Sequence, residues 1–154
     1  MVSFAQVAFL SVAIATHAVV GYTLGMALFD RPVAGLAAGV AADVDFLFPA
    51  ALGWPFVHRG ITHTLLVGGL AAGVVAYRDR RTALAVAAAY GSHLLIDMTT
   101  PKGVPFLYPM AETHYHLGLG TTGHSLVPTI ALWACCLAAL WLRHDGRDST
   151  LDRI

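Results

Sequence analysis

The chain has 154 residues, of which 57% are hydrophobic and only 12% charged, with nine basic and nine acidic side chains and a formal net charge of zero. A soluble domain draws roughly a quarter of its residues from the charged types, so this composition excludes an ordinary water-soluble fold. The lack of a basic excess also removes nucleic acid as an expected partner. The length fits a single domain, and residues 1–154 are expected to form one transmembrane unit in the lipid bilayer.

Five apolar stretches approach the ~17–25 helical residues that cross a ~30 Å hydrocarbon core: residues 4–29, 33–52, 61–77, 83–98 and 125–142. The first has no basic residue ahead of it. It runs past Ala13-Ile14-Ala15, which looks like a signal-peptide cleavage site, to Phe29, so it reads as a retained helix. The third and fourth are short, and one of them is a candidate for a partly re-entrant segment. In the fifth, Cys135 and Cys136 are neighbours in an apolar run and read as packing residues. Gly21 and Gly25, Gly35 and Gly39, and Gly69 and Gly73 are each four apart, a spacing that lets helix backbones approach closely. The predicted fold is an all-α, polytopic membrane bundle of about five transmembrane helices.

Alternating spans place Arg31, Arg78, Arg80, Arg81, Arg143, Arg147 and Arg153 on one side and only Arg59 and Lys102 on the other. The excess marks the cytoplasmic side. A cell-membrane location follows, with the N-terminus outside and the C-terminus cytoplasmic. The loops at 53–60 and 99–124 then face outward.

Charged side chains inside a membrane helix cost at least ~2.5–3.5 kcal/mol on insertion scales and are functional candidates by default. Asp43 and Asp45 lie in the outer half of the second span, His58 and His63 flank the outer start of the third, and His93 and Asp97 lie in the outer half of the fourth. All six share one layer, and His17 sits somewhat deeper, as its floor. His93 and Asp97, four apart, project from one helix face. Neutral imidazoles with one or two carboxylates are typical zinc ligands and also suit manganese or iron. Each residue has a plainer reading. His17 alone suits a carbonyl hydrogen bond, either aspartate a cap or a solvated group, and His93 with Asp97 an interhelical pair. Arg59 fits equally a bidentate grip on phosphate or carboxylate and a side chain snorkelling to the headgroups. In the outer loop His114, His116 and His124 read chiefly as surface residues, with the His114–His116 pair a possible source of one more ligand; His144 reads as surface.

Several strings carry a family resemblance: Thr16-His17 followed by Gly21; Asp43-Val44-Asp45; His58-Arg59-Gly60-Ile61-Thr62-His63-Thr64; and Ser92-His93 through Asp97, Thr100-Pro101-Lys102-Gly103-Val104-Pro105 and Tyr108-Pro109. Together they resemble the YdjM-like family of membrane-bound metal-dependent hydrolases, also described as LexA-binding and inner membrane-associated. The resemblance spans about His17 to Ser125. It implies a hydrolase whose metal is held by the His and Asp positions above. This chain departs from the pattern in a longer lead-in before its first such histidine. It departs again after Gly123-His124-Ser125, where Leu126-Val127-Pro128 stand in place of a common glutamate.

The expected function is metal-dependent hydrolysis at a site opening outward, on a lipid or phosphoester. Ligands are expected from His63, His93, Asp97 and one of Asp43 or Asp45, with His17 and His58 as further ligands or their supports. The spare aspartate is a candidate general base, and Arg59 would neutralise an anionic substrate. The rival readings are a metal-ion or proton transporter and a non-catalytic scaffold stapled by a structural metal. The apolar cytoplasmic halves of the spans favour a one-sided pocket.

Overall fold

The computed structural model describes residues 3–119 and 123–151, with side chains to residue 145. Arg153 therefore lies outside the described residues, as does the side chain of Arg147. The fold is all-α, with helices α1 (Phe4–Leu24), α2 (Pro32–Ala41), α3 (Leu65–Ala76), α4 (Arg80–Met98) and α5 (Leu126–Leu151). No β-strand forms among the described residues; Val104 and Tyr115 make one isolated antiparallel bridge.

Helix α1 starts where Ser3 and Gln6 satisfy each other's backbone N–H groups in a reciprocal cap. It continues through a π-turn at Gly25–Phe29 and stops at Asp30, whose φ of 59° turns the chain back. The apolar segments Phe4–Phe29 and Leu126–Asp145 are long enough to cross a membrane.

The second and third predicted spans are not continuous helices. Over 33–52 the α-helix stops at Ala41, and the chain tightens into 3-10 turns at Ala42–Leu47 and Ala50–Leu52. Pro49 is one cause, since it pushes Phe48 into extended backbone (φ −76°, ψ 137°). The polar tether of Asp45 to the following loop is the other. Over 61–77 a 3-10 turn at Ile61–His63 gives way to extended Thr64, whose hydroxyl caps α3 by accepting from the Val67 N–H at 3.2 Å. With ten and twelve residues, α2 and α3 are each too short to cross a ~30 Å core as α-helix alone. Helix α4 begins three residues earlier than expected because Asp79 caps it, accepting from the Arg81 and Thr82 N–H groups.

Packing is inverted relative to a soluble domain. The buried polar set holds His17, Asp45, Arg59, His63, His93, Asp97 and His124, whereas Phe4, Leu28, Val33, Leu70, Val74, Trp141 and Leu142 are exposed. Water would penalise so much exposed apolar surface, and lipid does not. Small residues bring α1 and α2 together: a Cβ on Gly39 would fall 2.5 Å from the His17 carbonyl oxygen, and one on Gly21 would collide with the Gly35 carbonyl. A Cβ on Gly69 or Gly73, by contrast, would meet no atom within 4 Å among the described residues, so this third glycine pair does not mark a close backbone crossing there. Cys136 packs with Val20 and Ile96, and Trp133 ties α5 to α1 by donating its Nε1–H to Thr16 Oγ1 at 3.1 Å. At one end of the bundle Arg31 pairs with Asp79 at 3.2 Å and Arg143 with Asp30 at 3.0 Å. The His/Asp layer lies toward the other.

Candidate metal centre

Five pieces of chain converge on one buried cluster. Helix α1 contributes His17, and the 3-10 turn after α2 contributes Asp43 and Asp45. The turn before α3 brings His58, Arg59, Thr62 and His63. Helix α4 brings His93 and Asp97, and the residues just before α5 bring His124. The close α1–α2 contact sets the register of the first two. Arg59 adopts φ 62°, an uncommon left-handed backbone for a residue with a side chain. That turn is held by Asp45 Oδ2, which accepts the Arg59 N–H at 3.0 Å and the Thr62 hydroxyl at 2.9 Å. Tyr90 Oη donates to the Thr62 carbonyl and fixes the same turn against α4.

At the centre, His63 Nε2 and His93 Nε2 lie 3.2 Å apart, and Asp97 Oδ2 lies 3.3 Å from the first and 3.7 Å from the second. Asp43 Oδ1 stands 3.8 Å from both imidazole nitrogens. His63 and His93 are fully buried. The opposite ring nitrogens decide what these atoms carry. His93 Nδ1 is 2.7 Å from the Gly39 carbonyl, which can only accept, so the proton of the neutral ring sits on Nδ1. His63 Nδ1 is 3.1 Å from Asp45 Oδ2 and likewise donates. Both Nε2 atoms therefore present lone pairs to each other and to a carboxylate oxygen. A metal ion relieves that convergence, as would a second proton on one of the rings. Two donors bound at ~2.0–2.1 Å to a tetrahedral ion stand roughly 3.3 Å apart, so the spacing suits a metal. The Gly39 and Asp45 contacts are of the kind that orient imidazoles at metal sites.

The two aspartates thus face different ways. Asp43 points to the nitrogen pair, whereas Asp45 lies behind it, with Oδ1 on His58 Nδ1 at 3.0 Å and Oδ2 on His63 Nδ1. His58 is half-buried and stacks on Phe46 with ring centroids 4.1 Å apart. His17 stacks on His93 at 3.7 Å and places Nε2 3.5 Å from Asp97 Oδ1. Arg59 is buried within the protein. Its Nη2 donates to Asp97 Oδ1 at 2.9 Å and its Nη1 to Thr100 Oγ1.

His124, which sequence reading left on the surface, belongs to the cluster: its Nε2 donates to Asp97 Oδ1 at 3.0 Å. The signal was its place at the start of the last apolar run, level with the other His and Asp residues of the cluster. His114 and His116 stay exposed, with His114 near Trp54 and away from the cluster. A cavity of about 40 Å³ adjoins the centre, lined on its polar side by His17, Asp43, His58, Arg59, Asp97 and His124.

Residues 12–151 match the family model described as YdjM inner membrane protein. No curated protein and no solved structure matches the chain.

Proposed function

The chain belongs to the YdjM family of inner membrane proteins, and on that premise we propose that it is a metal-dependent hydrolase embedded in the membrane. The reading rests on one observation, the convergence of His63 Nε2, His93 Nε2 and Asp97 Oδ2. His63, His93, Asp97 and Asp43 would hold the ion, with zinc favoured by the His/Asp set and manganese or iron as alternatives. When bound, such an ion polarises a scissile carbonyl or phosphoryl group and lowers the pKa of a water towards about 7.

The chain's own residues supply the rest. Asp45 holds the rings of His63 and His58 in fixed tautomers. His58, its Nδ1–H committed to Asp45, lines the cavity and is placed to accept and return a proton there. Arg59 pins Asp97 from the side away from His63. Below the site, Ala38, Val86 and Ala89 pack into an apolar layer with Ala34, Ala72 and Val75. A polar path through the bilayer would need ionisable groups there, so this layer favours a one-sided site over metal-ion or proton transport.

The chain is proposed to cross the membrane several times, with its arginine-rich end cytoplasmic. An impermeant thiol reagent added outside should label a cysteine introduced near Lys102 and spare one within 78–81. The reverse pattern would overturn the orientation. For the activity, the test is metal content of protein purified without chelator, followed by hydrolysis of lipid and phosphoester substrates beside metal flux in sealed liposomes. Bound metal with turnover supports the reading. Flux without hydrolysis would replace it with transport, and bound metal with neither would leave a structural ion.

A further inference from the structure

We infer that the cavity beside the metal centre is a subsite for a phosphate group, which would make the substrate of the hydrolase reading a phosphoester. Among the described residues, the buried side-chain nitrogens without a hydrogen-bond partner include His17 Nδ1, Arg59 Nε and His124 Nδ1. All three residues line this one cavity. Their burial is nearly complete, with 2%, 7% and 8% of their surface exposed. A buried donor or acceptor left unmet costs about 1–3 kcal/mol, and more when charged, so three such residues lining one space call for an occupant.

The chemistry of the three atoms narrows the occupant. Arg59 Nε–H can only donate, and its guanidinium is charged at any working pH. The imidazole Nδ1 atoms take either role according to tautomer. A phosphate monoester meets all of them, since its oxygens accept from arginine while its remaining O–H donates to a bare imidazole nitrogen. Three carboxylates, Asp43, Asp45 and Asp97, stand nearby; a divalent ion together with Arg59 balances them, so an anion is not repelled. A space of about 40 Å³ holds a few water-sized probes and hence one tetrahedral oxyanion, not a whole lipid.

The opposite wall indicates what the phosphate is attached to. It is formed by Phe9, Leu10, Ala13 and Ile14 of α1 with Phe46. Phe9 and Ile14 are also exposed on the apolar outer surface of the bundle. The cavity therefore adjoins the lipid-facing side of α1, and an acyl or prenyl chain has an apolar track leading to it.

This inference builds on the hydrolase reading but is tested apart from it. The measurement is calorimetric binding of inorganic phosphate to detergent-purified, metal-loaded protein, with metal content read on the same samples. Wild type should bind. Arg59→Gln and His124→Gln should each weaken binding by about tenfold or more, as expected for losing a charge-assisted hydrogen bond, with metal content unchanged. His144→Ala should bind as wild type. Because Arg59 and His124 both donate to Asp97 Oδ1, either variant is at risk of losing metal, and the comparison is made on samples reloaded to wild-type metal content. Failure of wild type to bind, or wild-type affinity in metal-loaded His124→Gln and Arg59→Gln, would overturn the subsite and assign any phosphate to the ion alone. Protein that takes up no metal yet binds phosphate through Arg59 and His124 would sink the hydrolase reading and keep the subsite. Short-chain phosphatidic acid and glycerol phosphate are then compared as competitors. Stronger competition by the lipid identifies a lipid phosphoester, and equal competition a soluble one; either supports the phosphate subsite.

Discussion

His63 Nε2 and His93 Nε2 face each other at 3.2 Å, and in their neutral forms neither carries a proton to join them. The Gly39 carbonyl and Asp45 have claimed the protons on the far side of each ring. Replacing either histidine with alanine should remove most of the bound metal, measured by atomic emission on purified protein, while His144→Ala should not. Chelation should also lower the melting temperature of wild type. A ligand at a hundredfold its Kd adds about 2.7 kcal/mol, equivalent to roughly 5–10 °C for a chain of this size. Unchanged melting on chelation in a protein shown to carry metal would argue that the ion lies elsewhere.

Asp43 and Asp45 are two residues apart and do different work. On the 3-10 turn their side chains diverge: Asp43 reaches the nitrogen pair at 3.8 Å, whereas Asp45 holds His58, His63, Thr62 and the Arg59 backbone. Asp43→Asn should lower metal occupancy by removing a ligand. Asp45→Asn keeps the ligand set and loosens it, so metal affinity should fall by about 10–100-fold, the usual cost of losing an outer partner, and the melting temperature should fall too. Titration of both apo-proteins with zinc separates the cases. Wild-type affinity in Asp45→Asn would remove its orienting role.

At the arginine-rich end, Asp79 caps α4. The Thr82 hydroxyl, the Thr82 and Arg81 N–H groups and Arg31 stabilise its charged form and pull its pKa down to about 2 despite some desolvation. An unfolded aspartate titrates near about 3.9. A lowered folded pKa stabilises the fold above the unfolded value, and that stability is lost as pH falls through the folded one. Wild type should therefore lose melting temperature between about pH 4 and pH 2, and Asp79→Asn should lose less over that window. Parallel curves for the two proteins would show that the cap carries no charge-linked stability.

The His/Asp layer was legible because the chain alternates direction. Asp43 late in one apolar run, His63 early in the next and Asp97 late in the third must meet if the runs pack side by side. Element type was not legible there. Composition makes 33–52 and 61–77 look like uninterrupted spans, but Pro49 and the hydrogen bonds of Asp45 and Thr64 break them into short turns. The Asp45 bonds reach Arg59 and Thr62 in the next segment, so no local pattern announces them, whereas Pro49 and the Thr64 cap are local signals. His124 was missed for a related reason. A histidine in a long polar loop resembles a surface residue until Gly123 N–H bonds Thr99 Oγ1 at 2.6 Å and folds the loop end onto α4.

The glycine contact between α1 and α2 offers a test of how packing governs the site. Gly39 approaches the His17 carbonyl so closely that an added Cβ would fall 2.5 Å from its oxygen, against backbone that cannot rotate aside. The same residue's carbonyl fixes His93 Nδ1. Gly39→Val should therefore push α1 from α2, at an overpacking cost of about 1–3 kcal/mol, and displace the acceptor that orients His93. Metal affinity should fall together with the melting temperature. Gly73→Val, on a face with nothing within 4 Å, adds similar bulk without that contact and should leave metal binding unchanged. Comparing zinc affinity and melting in the two variants distinguishes a specific interface from a general intolerance of bulk. Equal losses in both would show that the α1–α2 contact does not set the geometry of the centre.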